Sequence, residues 1–363
     1  MQLPISLSLL ALVQLVPQVA AWGAAGHEIV ADIAQMHLFP SAREALCSVL
    51  PDYAKCQLGP VAAWADKIKY RNRWSSELHY VNGIGDHPGN HCVFGEEGWM
   101  GKPGINLLGG IRNTTDWMKD GKPGAEEALK FFVHFLGDMH MPLHLTGRAK
   151  GGNGISVKWN RRTVKFHGVW DGMLIAKEIR ETPYKYENPL PNPQVESALR
   201  GAIYDPYIRQ IIWEGVLNEW ADEVQEWTQC PSSFEDVPNF YPEYAGSEFR
   251  TQPGQIPLNA LRASSPKVPP TDDATVCPFT WGQPIHALNC EIVWPRELNS
   301  DNPPHIELDT PEYSGKLKKQ KIVMKLLAMG GVRMAAVLNE IFADPEEVAA
   351  LQMGRVLDLK VWM

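Results

Sequence analysis

Excess basic charge is the first thing missing from this 363-residue sequence: its formal net charge is −8. That argues against a broad cationic surface that grips nucleic acid by releasing counterions. Positive potential for a phosphate substrate must then be local, and bound metal is its obvious supplier. No CxxC pair occurs among the six cysteines. Cys47, Cys56, Cys92, Cys230, Cys277 and Cys290 therefore read as disulfides rather than zinc ligands, with their pairing left open. No internal repeat and no clear linker divides the chain. Beyond the first residues, no run is read as long and apolar enough to span a bilayer. Alternating β patterns are nearly absent too.

The opening MQLPISLSLLALVQLVPQVAA lacks any charged side chain and has signal-peptide length. It also lacks a basic n-region, but Val19-Ala20-Ala21 supplies the small residues of a cleavage site, and Pro17 argues against a membrane anchor. Cleavage after Ala21 leaves Trp22 at the mature N-terminus, and the expected location is secreted and extracellular. Asn113-Thr114-Thr115 is the only N-x-[ST] acceptor, so Asn113 is the expected glycan site.

What remains is ordinary globular composition, 44% hydrophobic and 21% charged. Most of it has helical spacing. WGAAGHEIVADIAQMHL places Ile29, Ile33 and Met36 on one side, and VAAWADKIKYRNRW places Asp66 and Lys69 three apart on one face. SALRGAIYDPYIRQIIWEGVLNEWADEVQEW reads as the longest helical stretch, and SGKLKKQKIVMKLLAMGGVRMAAVLNEIFA as a closing helix. GGNGISVKWNRRTVKFHG predicts the one small hairpin, and Cys230 to about Asp273 reads as an irregular insertion. The fold class is mainly α: one multi-helix domain with a small β-hairpin.

The chemistry concentrates in HFLGDMHMPLH, His134 to His144. On a helix His134 and Asp138 share a face, and imidazole with carboxylate is what zinc takes as ligands. Pro142 bends or ends the helix, so His144 approaches from another direction. HGVWD repeats the device with His167 and Asp171. One such pair is most often a surface hydrogen bond, but two with a third histidine beside the bend favour metal. His37, His87, His91, His140, His286 and His305 show no such partners and read as structural or exposed.

Taken in order, WGxxGH, WAD, LHY, HFLGDMHMPLH, GGN and HGVWD resemble the zinc-dependent single-strand nucleases of fungi and plants, the P-one and S-one type. More distantly they resemble the bacterial zinc phospholipases C, which share the fold. The resemblance covers Trp22 to about Ala343. It implies a signal peptide over residues 1–21, a nuclease domain over 22–343 with an insertion at 231–273, and a C-terminal extension over 344–363. It also implies three zinc ions. Asp66, His79, His134 and Asp138 would hold one. Trp22, through its α-amine and carbonyl, and His27 would hold a second that shares Asp138. His144, His167 and Asp171 would hold the third.

The implied reaction is in-line hydrolysis leaving 5′-phosphates, with the 3′ oxygen departing on the side of the third ion. Asp66, Asp138 and Lys69 are its expected catalytic residues. Lys69 would face the phosphoryl oxygens, Tyr80 would stack on an unpaired base, and Asn82 would read that base where relatives commonly have Asp. Gly172 replaces a polar residue frequent in relatives. The expected substrates are single-stranded DNA and RNA and 3′-mononucleotides, with the protein a monomer. The alternatives are a zinc phospholipase C, which would need a membrane-facing apolar stretch, and an inactive zinc-binding protein, which would lack one or more ligands.

Overall fold

The computed structural model describes residues 22–230, 271–300 and 302–352. Residues 1–21, expected to be a signal peptide, residues 231–270 of the expected insertion and residues 353–363 of the expected C-terminal extension lie outside them.

The long helix Ile322–Phe342 is the element on which the others pack. Every residue from Ile322 to Asn339 is buried, as expected of a helix apolar on all faces. Its length and composition meet those of a membrane span, which corrects the expectation that no later run does; protein nonetheless encloses nearly all of it. Against it lies α1 (Ala24–His37), with Ile29, Ile33 and Met36 buried as their spacing predicts. The two helices meet at Gly331, where a Cβ would stand 2.4 Å from Ile33 Cγ2 and 2.9 Å from the Val30 carbonyl oxygen. A side chain there would force the helices apart.

Helix α2 (Pro40–Val49) follows α1, and α3 is only Trp64–Ile68. The expected continuation through Trp74 is replaced by a 3-10 turn, Arg73–His79. Helices α4 (Leu107–Lys119) and α5 (Ala125–Met139) pack side by side. Asn106 caps α4, its Oδ1 accepting from the Gly109 amide at 3.0 Å. Asn113 stands exposed on α4.

The hairpin forms as expected, though shorter. Strands β1 (Ser156–Trp159) and β2 (Arg162–Lys165) pair antiparallel, Ser156 opposite Lys165. Asn160 and Arg161 turn between them with φ of 48° and 64°, the left-handed pair a two-residue hairpin turn demands. The stretch expected to be the longest helix, 197–227, is broken: it takes in only the end of Pro193–Ala198, then Asp205–Gln210, a π-helical Ile211–Glu219 and Val224–Trp227. Left-handed Lys321 likewise divides Ser314–Lys319 from the closing helix.

All six cysteines are paired: Cys47 with Cys56, Cys92 with Cys290 and Cys230 with Cys277. His286 departs from expectation. Its Nε2 lies 3.0 Å from buried Asp86, whose carboxylate also accepts from Thr146 Oγ1 at 2.6 Å and from the Val93 amide at 3.0 Å. Cys92 adjoins this pair but is consumed by its disulfide, so the cluster is a structural tie.

Candidate metal centre

Helix α5 brings the first two groups together. It begins at left-handed Gly124, carries Glu126 and Glu127 in its first turn where the helix dipole favours anions, and stops at Met139. His134 and Asp138 are fully buried on one face. Gly137 between them is a necessity of packing: a Cβ there would stand 2.6 Å from His27 Nδ1. His27 comes from α1. Its ring stacks on His134 with centroids 3.8 Å apart, and its Nε2 is 3.3 Å from Asp138 Oδ1.

From the other side, α3 supplies Asp66 and the end of the 3-10 turn supplies His79. His79 Nδ1 lies 3.0 Å from Asp138 Oδ2 and 3.1 Å from His134 Nε2. His134 Nε2 is in turn 3.5 Å from Asp66 Oδ1. Pro142 does end the helical course, opening the 3-10 turn Pro142–Leu145 that carries His144. His144 Nδ1 approaches Asp138 Oδ1 to 3.7 Å. His167 and Asp171 straddle Phe166–Gly168 and a π-turn, Val169–Met173, with Nε2 and Oδ2 3.2 Å apart. Gly23 donates its amide to the Asp171 carbonyl at 2.6 Å, which seats the buried Trp22 beside this group.

Backbone carbonyls orient three of these rings. His134 Nδ1 donates to the Ala62 carbonyl at 2.7 Å, His167 Nδ1 to Gly151 at 2.6 Å, and His144 Nδ1 to His79. Each ring thereby turns the lone pair of Nε2 inward, the arrangement that fixes the tautomer of metal-binding histidines. Both ring nitrogens of His27, Nε2 of His79 and His144, Oδ1 of Asp138 and both carboxylate oxygens of Asp171 are buried without a hydrogen bond. Buried polar atoms are rarely left so, and here seven of them lie within one set of facing side chains. Their donor atoms fall into three groups, each within 4.8 Å: His27 with His134 and Asp138; Asp66 with His79 and His134; His144 with His167 and Asp171.

The electrostatics agree with a cation-binding role. Burial works against the charge on Asp138, but His134, His144, His27 and His79 outweigh it and hold the carboxyl well below its usual range. Asp66 is likewise held low, against burial, chiefly by His134. Burial pushes His144 down to about 3, and lowers His27 with help from His134. Burial raises Asp171 to about 6 despite His167. Despite burial, neighbouring carboxylates raise His134 and His167, chiefly Asp138 and Asp171 respectively. Imidazoles beside buried carboxylates form a nitrogen- and oxygen-rich donor set suited to zinc.

A cleft of about 650 Å³ opens on these groups, lined by His79, His144 and His167 together with Lys69, Tyr80 and Asn82. Lys69 Nζ lies 2.7 Å from Asp66 Oδ1, and burial is outweighed by that carboxylate in raising its pKa. Tyr80 is 41% exposed. Asn82 is half-buried and packs so close to Gly147 that a Cβ there would be 3.0 Å away. A side chain at Gly172 would meet nothing within 4 Å, so the missing polar group leaves open space. Every residue expected to bind metal or substrate is thus brought to one region, while Asn113 lies elsewhere, in a separate groove with Trp74 and Trp117.

Comparison with known proteins agrees with this geometry. The family described as S1/P1 Nuclease matches residues 22–343. The chain belongs to the S1/P1 nuclease family. Endonuclease 2 of Arabidopsis thaliana is 30% identical over 90% of this chain and 92% of its own length. Nuclease S1 of Aspergillus oryzae is 37% identical over 47% of this chain and 58% of its own. Nuclease P1 of Penicillium citrinum is 34% identical over 44% and 60%. Membership makes this S1/P1 family protein a nucleic-acid hydrolase of mainly α fold.

Sequence reasoning missed the supporting parts of the centre. The carbonyls of Ala62, Gly151 and His79 leave no side-chain signal. Gly137 did leave one, as a glycine inside a helix where it costs stability unless packing requires it.

Proposed function

We propose that the chain is a secreted phosphodiesterase that hydrolyses single-stranded DNA and RNA to 5′-phosphate products, and 3′-mononucleotides as well. One observation supports it above the others: buried imidazole and carboxylate atoms without hydrogen bonds converge in three groups, two of which reach a cleft through His79, His144 and His167. Asp66, His79, His134 and Asp138 would hold one zinc ion. His27 and the α-amine and carbonyl of Trp22, freed by signal cleavage, would hold a second with Asp138. His144, His167 and Asp171 would hold a third. Zinc bound there supplies a water acidified to a pKa of about 7 and a positive field for phosphoryl oxygens.

The chain's own residues do the rest. Lys69, fixed by Asp66, faces charge that builds on phosphorus. Tyr80 offers an exposed ring for stacking, which accepts any base but requires an unpaired strand. Asn82 can both donate to and accept from a base edge. The protein works as a monomer, with disulfides and a glycan at Asn113 suited to the extracellular space.

The deciding experiment measures metal by mass on secreted, desalted protein and follows mononucleotide release from single-stranded DNA before and after chelation. Close to three zinc ions with chelator-sensitive release of 5′-mononucleotides is expected. Metal without release from nucleic acid would redirect the reading to another phosphoester, and one ion or none would overturn it.

A further inference from the structure

Two lysines line the cleft, and the proposed reaction uses only Lys69. Lys150 is exposed, and among the described residues it makes no ion pair. Its position is nonetheless fixed by the backbone. Ala149 and Lys150 have φ of 48° and 58°, a left-handed conformation that non-glycine residues adopt only when their surroundings hold them there. The Lys150 amide donates to the Gly147 carbonyl at 3.0 Å, and its own carbonyl accepts from the Asn153 amide at 3.2 Å and from Asn153 Nδ2 at 3.1 Å. The next residue, Gly151, supplies the carbonyl that orients His167. Lys150 therefore belongs to the His144–His167–Asp171 side of the cleft, while Lys69 marks the Asp66 side. A chain of net charge −8 places a cation at each of these sides and no Asp or Glu among the described residues that line the cleft. One phosphate at the reacting centre needs one cation, and the second suits a second phosphate.

We infer that Lys150 binds the 5′-phosphate of the nucleoside that departs, and so makes the enzyme favour strands over single phosphodiesters. The inference rests on the reaction proposed above, in which the 3′ oxygen leaves toward the His144–His167–Asp171 side. That nucleoside's own 5′-phosphate then lies on the flank where Lys150 stands.

The test uses the full zinc-loaded chain and three substrates: a dinucleoside monophosphate, the same with a 5′-phosphate on the departing nucleoside, and the same with a phosphate on the far 3′ end. The unvaried protein is expected to prefer the 5′-phosphorylated substrate by about tenfold in kcat/KM, the scale of one charge-assisted contact. Lys150→Gln should abolish that preference and leave the unphosphorylated substrate within twofold, while Lys150→Arg keeps the preference. On a long single strand, Lys150→Gln should also make the salt dependence shallower by about 0.7 in log–log slope. Equal loss on all three substrates, or a preference that survives Lys150→Gln, would overturn the inference. If the unvaried protein cuts none of the three substrates, the proposed reaction fails first and this inference with it.

Discussion

Two buried polar clusters lie within a few residues of one another in sequence, and they are built on opposite principles. In the first, His140 sits immediately after α5. Its Nδ1 donates to the Leu136 carbonyl at 2.7 Å, and its Nε2 accepts from Arg333 Nη1 at 2.9 Å. Arg333, fully buried in the closing helix, also donates to the Trp227 carbonyl at 2.8 Å and lies over the Trp281 ring. Burial and then Arg333 hold His140 neutral. Both ring nitrogens of His140 are thereby satisfied, so this histidine is closed. Six residues earlier His134 spends Nδ1 on a carbonyl and points Nε2 at Asp66 and Asp138, while His27 and Asp171 hold atoms with no hydrogen bond. A closed cluster contributes to stability and offers nothing to a ligand. An open one costs stability until something fills it, because buried polar groups without partners are expensive.

The comparison is broken most severely at Asp138, whose two oxygens approach four histidines. Asp138→Asn is expected to lower hydrolysis of single-stranded DNA by more than about a hundredfold, since disturbing even the partners of metal ligands costs 10–100-fold. Bound zinc should fall with it, while melting of the chelated protein changes little. Activity near that of the unvaried protein would remove Asp138 from the metal centre. Arg333→Met should show the reverse pattern. It strands His140 Nε2 and the Trp227 carbonyl, at a cost of about 3–5 kcal/mol, read by urea unfolding. Metal per folded molecule stays the same. Loss of zinc from a variant that remains folded would mean that the two clusters are coupled.

The residues of the open cluster were only partly legible in the sequence. His134 with Asp138 and His167 with Asp171 declare themselves, because a spacing of four puts an imidazole and a carboxylate together on any helical turn. His27, Asp66 and His79 carry no such local signal, being single residues on separate elements, and only the order of motifs singled them out. His140 shows the opposite difficulty. Its closure depends on Arg333, 193 residues away, and His286 likewise depends on Asp86, 200 residues away. Among the helices, α1 and the closing helix follow their apolar spacing. The stretch around Ile211–Glu219 does not, because Gly215 lies under the Trp220 ring, where a Cβ would come within 2.2 Å of it. The contact is local, five residues apart, and the Trp220 amide donates to the Gly215 carbonyl at 3.0 Å, the wider turn of a π-helix that apolar spacing does not announce.

Glu178 lies between the two cases and gives the smallest effect. One carboxylate oxygen accepts from Tyr207 Oη, while Oε1 has no hydrogen bond. Burial raises its pKa from 4.5 to about 7, with the Tyr207 hydrogen bond opposing and Lys318 and Glu181 nearby in opposite senses. The folded protein thus binds this proton more tightly than the unfolded chain does. Its contribution to stability is complete below pH 4.5 and is lost as pH rises toward 7. Glu178→Gln keeps the shape and cannot ionise, so it should flatten that slope. By thermal or urea unfolding the variant should gain on the unvaried protein between pH 4.5 and 7, by at most about 3 kcal/mol at 1.36 kcal/mol per pH unit. A parallel pH profile for the two proteins would show that Glu178 ionises no differently when folded, and that one hydrogen bond from a tyrosine suffices to close a buried carboxylate.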